Sequence, residues 1–132
     1  MKIFDKESLA AALYVHPYES NPDYFSYVNF FDYSPDGKAA TGYWEAPKGW
    51  LEFTFTGFQE LNYVIEGEVE VTNLETGRKV VARPGDVYLV QDGDHVRWEM
   101  RQFTRTVFFV YPLTAQIRSM IASWKKKKTG NR

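Results

Sequence analysis

The sequence predicts an all-β domain, a small barrel or sandwich of short strands with helix confined to its two ends. Three observations point there. Turn signals recur at short spacing: "SPDG" (34–37), "PKG" (47–49), "LETG" (74–77), "RPGD" (83–86) and "DGD" (92–94), where Gly, Pro and Asp supply the backbone angles that turns require. The runs between them are rich in aromatic and β-branched residues, the types that fit a pleated surface. Helical spacing of apolar residues appears only near residues 7–13 and 113–124.

Taken along the chain, "ESLAAAL" (7–13) suits a short helix, because alanine and leucine are good helix formers. "YVHPYESNPDY" (14–24) reads as an irregular segment in which His16 is a surface or interface residue. Residues 24–33 are expected to form a strand extending one sheet. In "GFQELNYVIEGEVEV" (57–71) two strands meet at Glu66-Gly67, and Glu60 stands near the head of the first beside Leu61, Tyr63, Val64 and Ile65. Val69 and Val71 alternate with Glu68, Glu70 and Thr72, so the two acids read as a solvated face. Val96, Trp98 and Met100 alternate with Arg97 and Glu99. "TRTVFFVY" (104–111) is nearly continuous, the pattern of a strand buried on both faces. After Pro112, residues Leu113, Ile117, Met120, Ile121 and Trp124 form one apolar helical face. That face packs on the outside of the barrel or makes a dimer contact.

Composition limits the function. At 132 residues and 15.4 kDa the chain is a single domain over 1–132, with a barrel core of about 24–111, a helix and a basic tail (125–132). No apolar run approaches the roughly 18 residues of a membrane span, and the N-terminus does not read as a signal peptide. With no cysteine, disulfides, zinc-thiolate sites and cysteine nucleophiles are excluded, which fits a cytoplasmic location. Lys125–Lys128 and Arg132 carry five positive charges, so for a net charge of −1 the remainder stands at −6. The tail reads as a solvated terminus, and the body offers no basic stripe for nucleic acid. Neither nucleic acid nor membrane is an expected partner.

With this pattern laid out, the chain resembles a cupin. "ELNYVIEGEVEV" is similar to the first cupin motif, a glutamate before a strand that ends in a Gly turn. "ARPGDVYLVQDGDHVRW" resembles the second, a Pro-Gly-Asp turn followed by a strand and a Gly-containing turn. "TGYWEAPKGWLEFTF" and "WEMRQFTRTVFFVY" resemble the branch containing the (S)-ureidoglycine aminohydrolase cupin domain and the ethanolamine-utilisation cupins. The resemblance covers about residues 40–111. It implies a jelly-roll (RmlC-like) β-barrel, and a homodimer in which an N-terminal strand pairs with a second subunit. It is specific for fold and weak for activity, since one fold hosts many functions.

In metal-binding cupins the first motif supplies two histidines and the glutamate, and the second supplies another histidine. Here the two histidine positions fall on Phe53 and Phe55, and the third on Val96. His95 sits one residue before its slot, an offset that turns a strand side chain to the opposite face unless a bulge after Gly93 restores it. No cofactor or metal is therefore expected. Glu60 is either a pocket carboxylate that binds an amine or acts as acid/base, or a hydrogen-bonded residue that anchors a loop or pairs with an arginine. Arg105 either faces the pocket, where it can clamp a carboxylate, or pairs on the surface with Glu99. Trp98 is core or ligand platform. Trp44, Tyr43, Phe53, Phe55 and Tyr88 are candidates to line the barrel interior, and His95 joins them if a bulge turns it inward. Two functions compete: a non-catalytic small-ligand-binding or accessory cupin, which is preferred, and a metal-independent enzyme acting on a small nitrogenous or carboxylated metabolite with Glu60 as acid/base and Arg105 orienting the substrate.

Overall fold

A computed structural model describes residues 1–127. Ten strands follow one short helix and precede another: α1 (Lys6–Ala10), β1 (Tyr14–Pro17), β2 (Phe25–Tyr33), β3 (Ala40–Ala46), β4 (Gly49–Thr54), β5 (Gln59–Glu66), β6 (Val69–Asn73), β7 (Lys79–Ala82), β8 (Val87–Val90), β9 (His95–Met100), β10 (Thr104–Tyr111) and α2 (Ala115–Lys127). They form two antiparallel sheets, a six-stranded one in the order β1-β2-β3-β10-β5-β8 and a four-stranded one in the order β4-β9-β6-β7. The fold is the expected β-barrel with short terminal helices.

Alternation builds the core. On β9, Val96, Trp98 and Met100 point inward; on β5, Asn62 and Val64 do; on β10, Thr104, Thr106, Phe108 and Val110 do. Side chains two apart share a sheet face, so each strand presents one row to the barrel interior. Two glycines allow close approach. A Cβ on Gly42 would overlap the ring of Phe108, and one on Gly67 (φ +92°) would lie 2.5 Å from the Phe103 carbonyl oxygen. The acids of the "RPGD" and "DGD" turns act locally: Asp86 accepts from the Arg83 N–H at 2.8 Å, and Asp94 accepts from the Gln91 N–H at 2.8 Å.

Several expectations are corrected. The first helix ends at Ala10, capped by Asp5, whose carboxylate accepts from the Ser8 N–H. The segment after it forms an extra strand, β1, antiparallel to β2. It places β2 between β1 on one side and β3 on the other. The run in β10 is buried on one face only, leaving Phe109 and Tyr111 45% and 47% exposed. Glu70 is not solvated: Lys79 and Arg101 cover it at 2.6 and 2.8 Å, while Arg101 and Arg83 hold Glu68 at 2.7 and 2.9 Å. The C-terminal helix starts two residues later than expected and includes Lys125–Lys127, the first part of the basic tail; the remainder of that tail lies outside the described residues. Its apolar face closes over the barrel interior instead of packing outside it.

Candidate ligand cavity

The two sheets and α2 line a partly open cavity of about 90 Å³. Its aromatic wall is built from inward positions on successive strands: Phe30 on β2, Trp44 on β3, Phe53 on β4, Trp98 on β9 and Phe108 on β10, with Phe55 and Phe58 from the β4–β5 connection. The rings pack on one another, Phe55 against Phe58 with centroids 4.7 Å apart and against Trp98 at 5.8 Å. Across one side lie Ile117, Met120 and Trp124 of α2. The helix is held there by its buried residues Ile117, Ile121 and Trp124, by Leu113 just before it, and by a hydrogen bond from the Arg118 guanidinium to the Gly37 carbonyl.

Glu60, at the second position of β5, is the one carboxylate among the described residues lining this space. Its Oε1 accepts from Asn62 Nδ2 at 2.9 Å, and Asn62 Oδ1 accepts from Thr106 Oγ1 at 3.2 Å. Desolvation among the rings raises its pKa to about 7, and the Asn62 hydrogen bond only partly opposes this. The carboxyl is therefore poised between its neutral and charged forms near neutral pH. Burial also raises the hydroxyls of Tyr18 and Tyr88, and the charge of Glu60 pushes both further.

His16, which the sequence reading made a surface or interface residue, lines the cavity. It stacks on Tyr18 with centroids 4.0 Å apart and meets Trp124 at 4.4 Å. Burial lowers its pKa to about 4, keeping the imidazole neutral. Its Nδ1 lies 2.7 Å from the Pro17 carbonyl oxygen. The available signal was the every-other spacing of Tyr14, His16 and Tyr18, interrupted by Pro17. Proline is tolerated on an edge strand, which is what β1 is.

The other candidates divide between the two faces. Trp44, Phe53, Phe55 and Trp98 line the cavity, and Trp98 donates its Nε1–H to the Tyr88 hydroxyl at 3.0 Å. Tyr88 is buried but off the cavity wall, bordering an open groove between the edge strands β7 and β8. The acids of that groove, Asp86 and Asp94, are occupied in the turn contacts described above. Two expectations fail, and the bulge that would turn His95 inward is absent from the β4–β9 register. Tyr43 lies on the outer face of the six-stranded sheet and donates to Glu45 at 2.7 Å. Arg105 lies beside it, bonded to Glu66 at 2.9 Å and to the Tyr43 hydroxyl at 3.3 Å, neither in the cavity nor near Glu99. His95 points outward: β9 pairs with β4 in unbroken register through Thr54↔His95, and the imidazole Nε2 lies 4.0 Å from Glu52 Oε1.

The residues do not fit a cupin metal. Phe53 and Phe55 point into the cavity, Val96 faces inward, and none of the three carries a donor. No three His, Cys, Asp or Glu side chains cluster for a metal ion among the described residues. A transition-metal site needs about four donors or more, and the cavity wall offers Glu60 and His16.

Residues 33–108 match the family model for the EutQ-like cupin domain. Among solved structures, the chain is similar to the Clostridium difficile EutQ protein (22% identity, TM-score 0.60, covering 70% of this chain and 71% of that one). It is also similar to a putative ethanolamine utilization protein Q from Salmonella typhimurium LT2 (19%, 0.65, 76% and 80%) and to ectoine synthase from P. lautus (18%, 0.66, 85% and 78%). At these identities the structures speak for the fold alone. No curated protein matches.

Proposed function

This chain belongs to the EutQ-like cupin family, and we propose that it binds a small, largely apolar amine in the barrel without converting it. The observation that carries this reading is the placement of a single carboxyl, Glu60, at the wall of an aromatic cavity that offers no metal-binding set. Apolar walls with few converging polar groups are how small-molecule sites are generally built. Electron-rich ring faces favour a cation, and an ammonium beside Glu60 would draw its carboxyl into the charged form. The size is limiting: about 90 Å³ is less than the roughly 150 Å³ cavity that accommodates benzene.

The second reading is a metal-independent enzyme. A carboxyl with a pKa of about 7 suits acid/base transfer near neutral pH. Arg105 does not help it, since that guanidinium lies on the outer face. A thermal-shift screen of small amines and other metabolites separates the two, because a ligand that binds only the folded state raises its melting temperature. The binding reading expects a hit recovered unchanged after incubation, with the shift lost in Glu60→Gln. A hit that is consumed, with turnover abolished in Glu60→Gln while binding persists, establishes the enzyme instead.

A further inference from the structure

Resting on the reading of the cavity as an amine site, we propose that His16 is its second polar contact and selects which amines it takes: those that carry, besides the ammonium, a hydroxyl or N–H donor for His16 Nε2. The residue stands on β1, outside the strands that supply Glu60 and most of the aromatic wall. Its position is that of a second anchor, not of a neighbour to the carboxyl. Both groups adjoin Tyr18: His16 stacks on the ring, and the charge of Glu60 acts on the hydroxyl. A small ligand that touches both therefore needs a polar group at each of two places.

The backbone fixes the tautomer of this imidazole. Its Nδ1 lies 2.7 Å from the Pro17 carbonyl oxygen, and a carbonyl oxygen only accepts, so Nδ1 carries the proton. A neutral ring protonated there holds a lone pair at Nε2, and burial keeps the ring neutral. Nε2 has no hydrogen-bond partner among the described residues. It is not sealed in either, because no fully buried side-chain nitrogen or oxygen there lacks a partner. The ring is held in place, within 10° of parallel to Tyr18 and with Trp124 against it at 4.4 Å. An open acceptor on an immobilised ring is one half of a hydrogen bond already in position, so little freedom is lost when a donor arrives.

The other polar groups of the wall are engaged. The Tyr18 hydroxyl bonds to Ser26 at 2.7 Å and to Trp44, and the Trp98 N–H goes to Tyr88. Glu60 accepts from Asn62 through one oxygen and keeps the other for a ligand. With Glu60 charged against an ammonium, both open polar groups accept. A ligand that is only carbon at the His16 end strips water from Nε2 without replacing it, and one with an acceptor there sets lone pair against lone pair. Both are penalised, as a site built around a hydrogen bond rejects analogues that lack it. The cavity of about 90 Å³ is smaller than the roughly 150 Å³ one that takes benzene, so the donor stands only a few bonds from the amine.

Titrations with n-propanolamine, n-butylamine and methoxyethylamine, amines of one size, test this. n-Propanolamine is expected to bind about 10-fold more tightly than the other two, which offer no donor at that end. His16→Phe should bring all three within about 2-fold of one another, while His16→Gln, whose amide oxygen accepts, should keep part of the preference. A purely structural His16 would weaken all three alike. If the variants do not fold, nitrogen NMR of the wild type replaces them. The His16 Nε2 resonance should move with n-propanolamine and not with n-butylamine, and that of the outward-pointing His95 should stay fixed. Equal binding of n-butylamine, a preference that survives His16→Phe, or an unmoved Nε2 resonance overturns the assignment and leaves the amine reading standing. Trimethylene glycol, which has donors and no amine, isolates the opposite failure. If it binds as tightly as n-propanolamine and is weakened in His16→Phe, the amine reading falls and the His16 contact stands. If none of the four binds, both fall.

Discussion

Glu60 and His16 share one cavity wall and pull stability in opposite directions with pH. The folded-state pKa of Glu60 is raised from 4.5 to about 7, so between those values the folded chain holds a proton that the unfolded chain has lost. Stability from this group therefore falls as pH rises from about 4.5 to 7, by on the order of 3 kcal/mol in total. The folded-state pKa of His16 is lowered from 6.5 to about 4, so its contribution rises with pH over that interval. The two largely cancel in the wild type. Glu60→Gln removes the first, and its melting temperature relative to the wild type is expected to climb from pH 4.5 to pH 7.5. A difference that is flat with pH would show that the Glu60 carboxyl is not desolvated. Bound amine should flatten the dependence, because by favouring the charged carboxyl it brings the folded-state pKa of Glu60 back down.

Elements explain what was legible in advance and what was not. The strands around Val69 and Val96 announce themselves by alternation, and the glycine turns mark their ends, because a two-residue period leaves little choice of face. The near-continuous run from Thr104 announces a strand but not that only one of its faces is buried. α2 is different. A helical period identifies which side is apolar but not what that side covers, so only the folded chain places Trp124 beside His16 and Phe30 at 4.4 and 6.2 Å. Trp124→Ala should destabilise by about 3–5 kcal/mol, the usual cost of deleting a buried aromatic, and should widen the set of ligands that bind. Denaturant melts and a repeated ligand screen measure both. Close approach is equally invisible in sequence. Gly42 looks like any strand glycine, yet Gly42→Ala is expected to cost about 1–3 kcal/mol by forcing the Phe108 ring out of place.

At the scale of the whole molecule, the two sheets carry different outer faces. One is a lattice of ion pairs, the other is half covered by the N-terminal arm and half bare. The sequence reading located the inner faces correctly and misassigned outer ones, placing Tyr43 inside, because alternation says that neighbours differ without saying which side is in. The donor-poor interior has a global consequence as well. Chelator treatment should leave the melting temperature unchanged, and elemental analysis should find no stoichiometric transition metal. A bound metal lost in Glu60→Ala would show that the barrel assembles a donor set beyond its own Glu60 and His16. No helix among the described residues is long and apolar enough to cross a membrane.

The placement of the tryptophans makes the cavity optically readable. Of the four in the chain, Trp44, Trp98 and Trp124 line it, while Trp50 lies apart with the Arg97 guanidinium 4.3 Å from its ring centroid. Intrinsic emission is therefore mostly a report on cavity contents, obtained without a label. An occupant should shift or quench it, and Trp50→Phe should remove background while leaving the ligand-dependent signal in place.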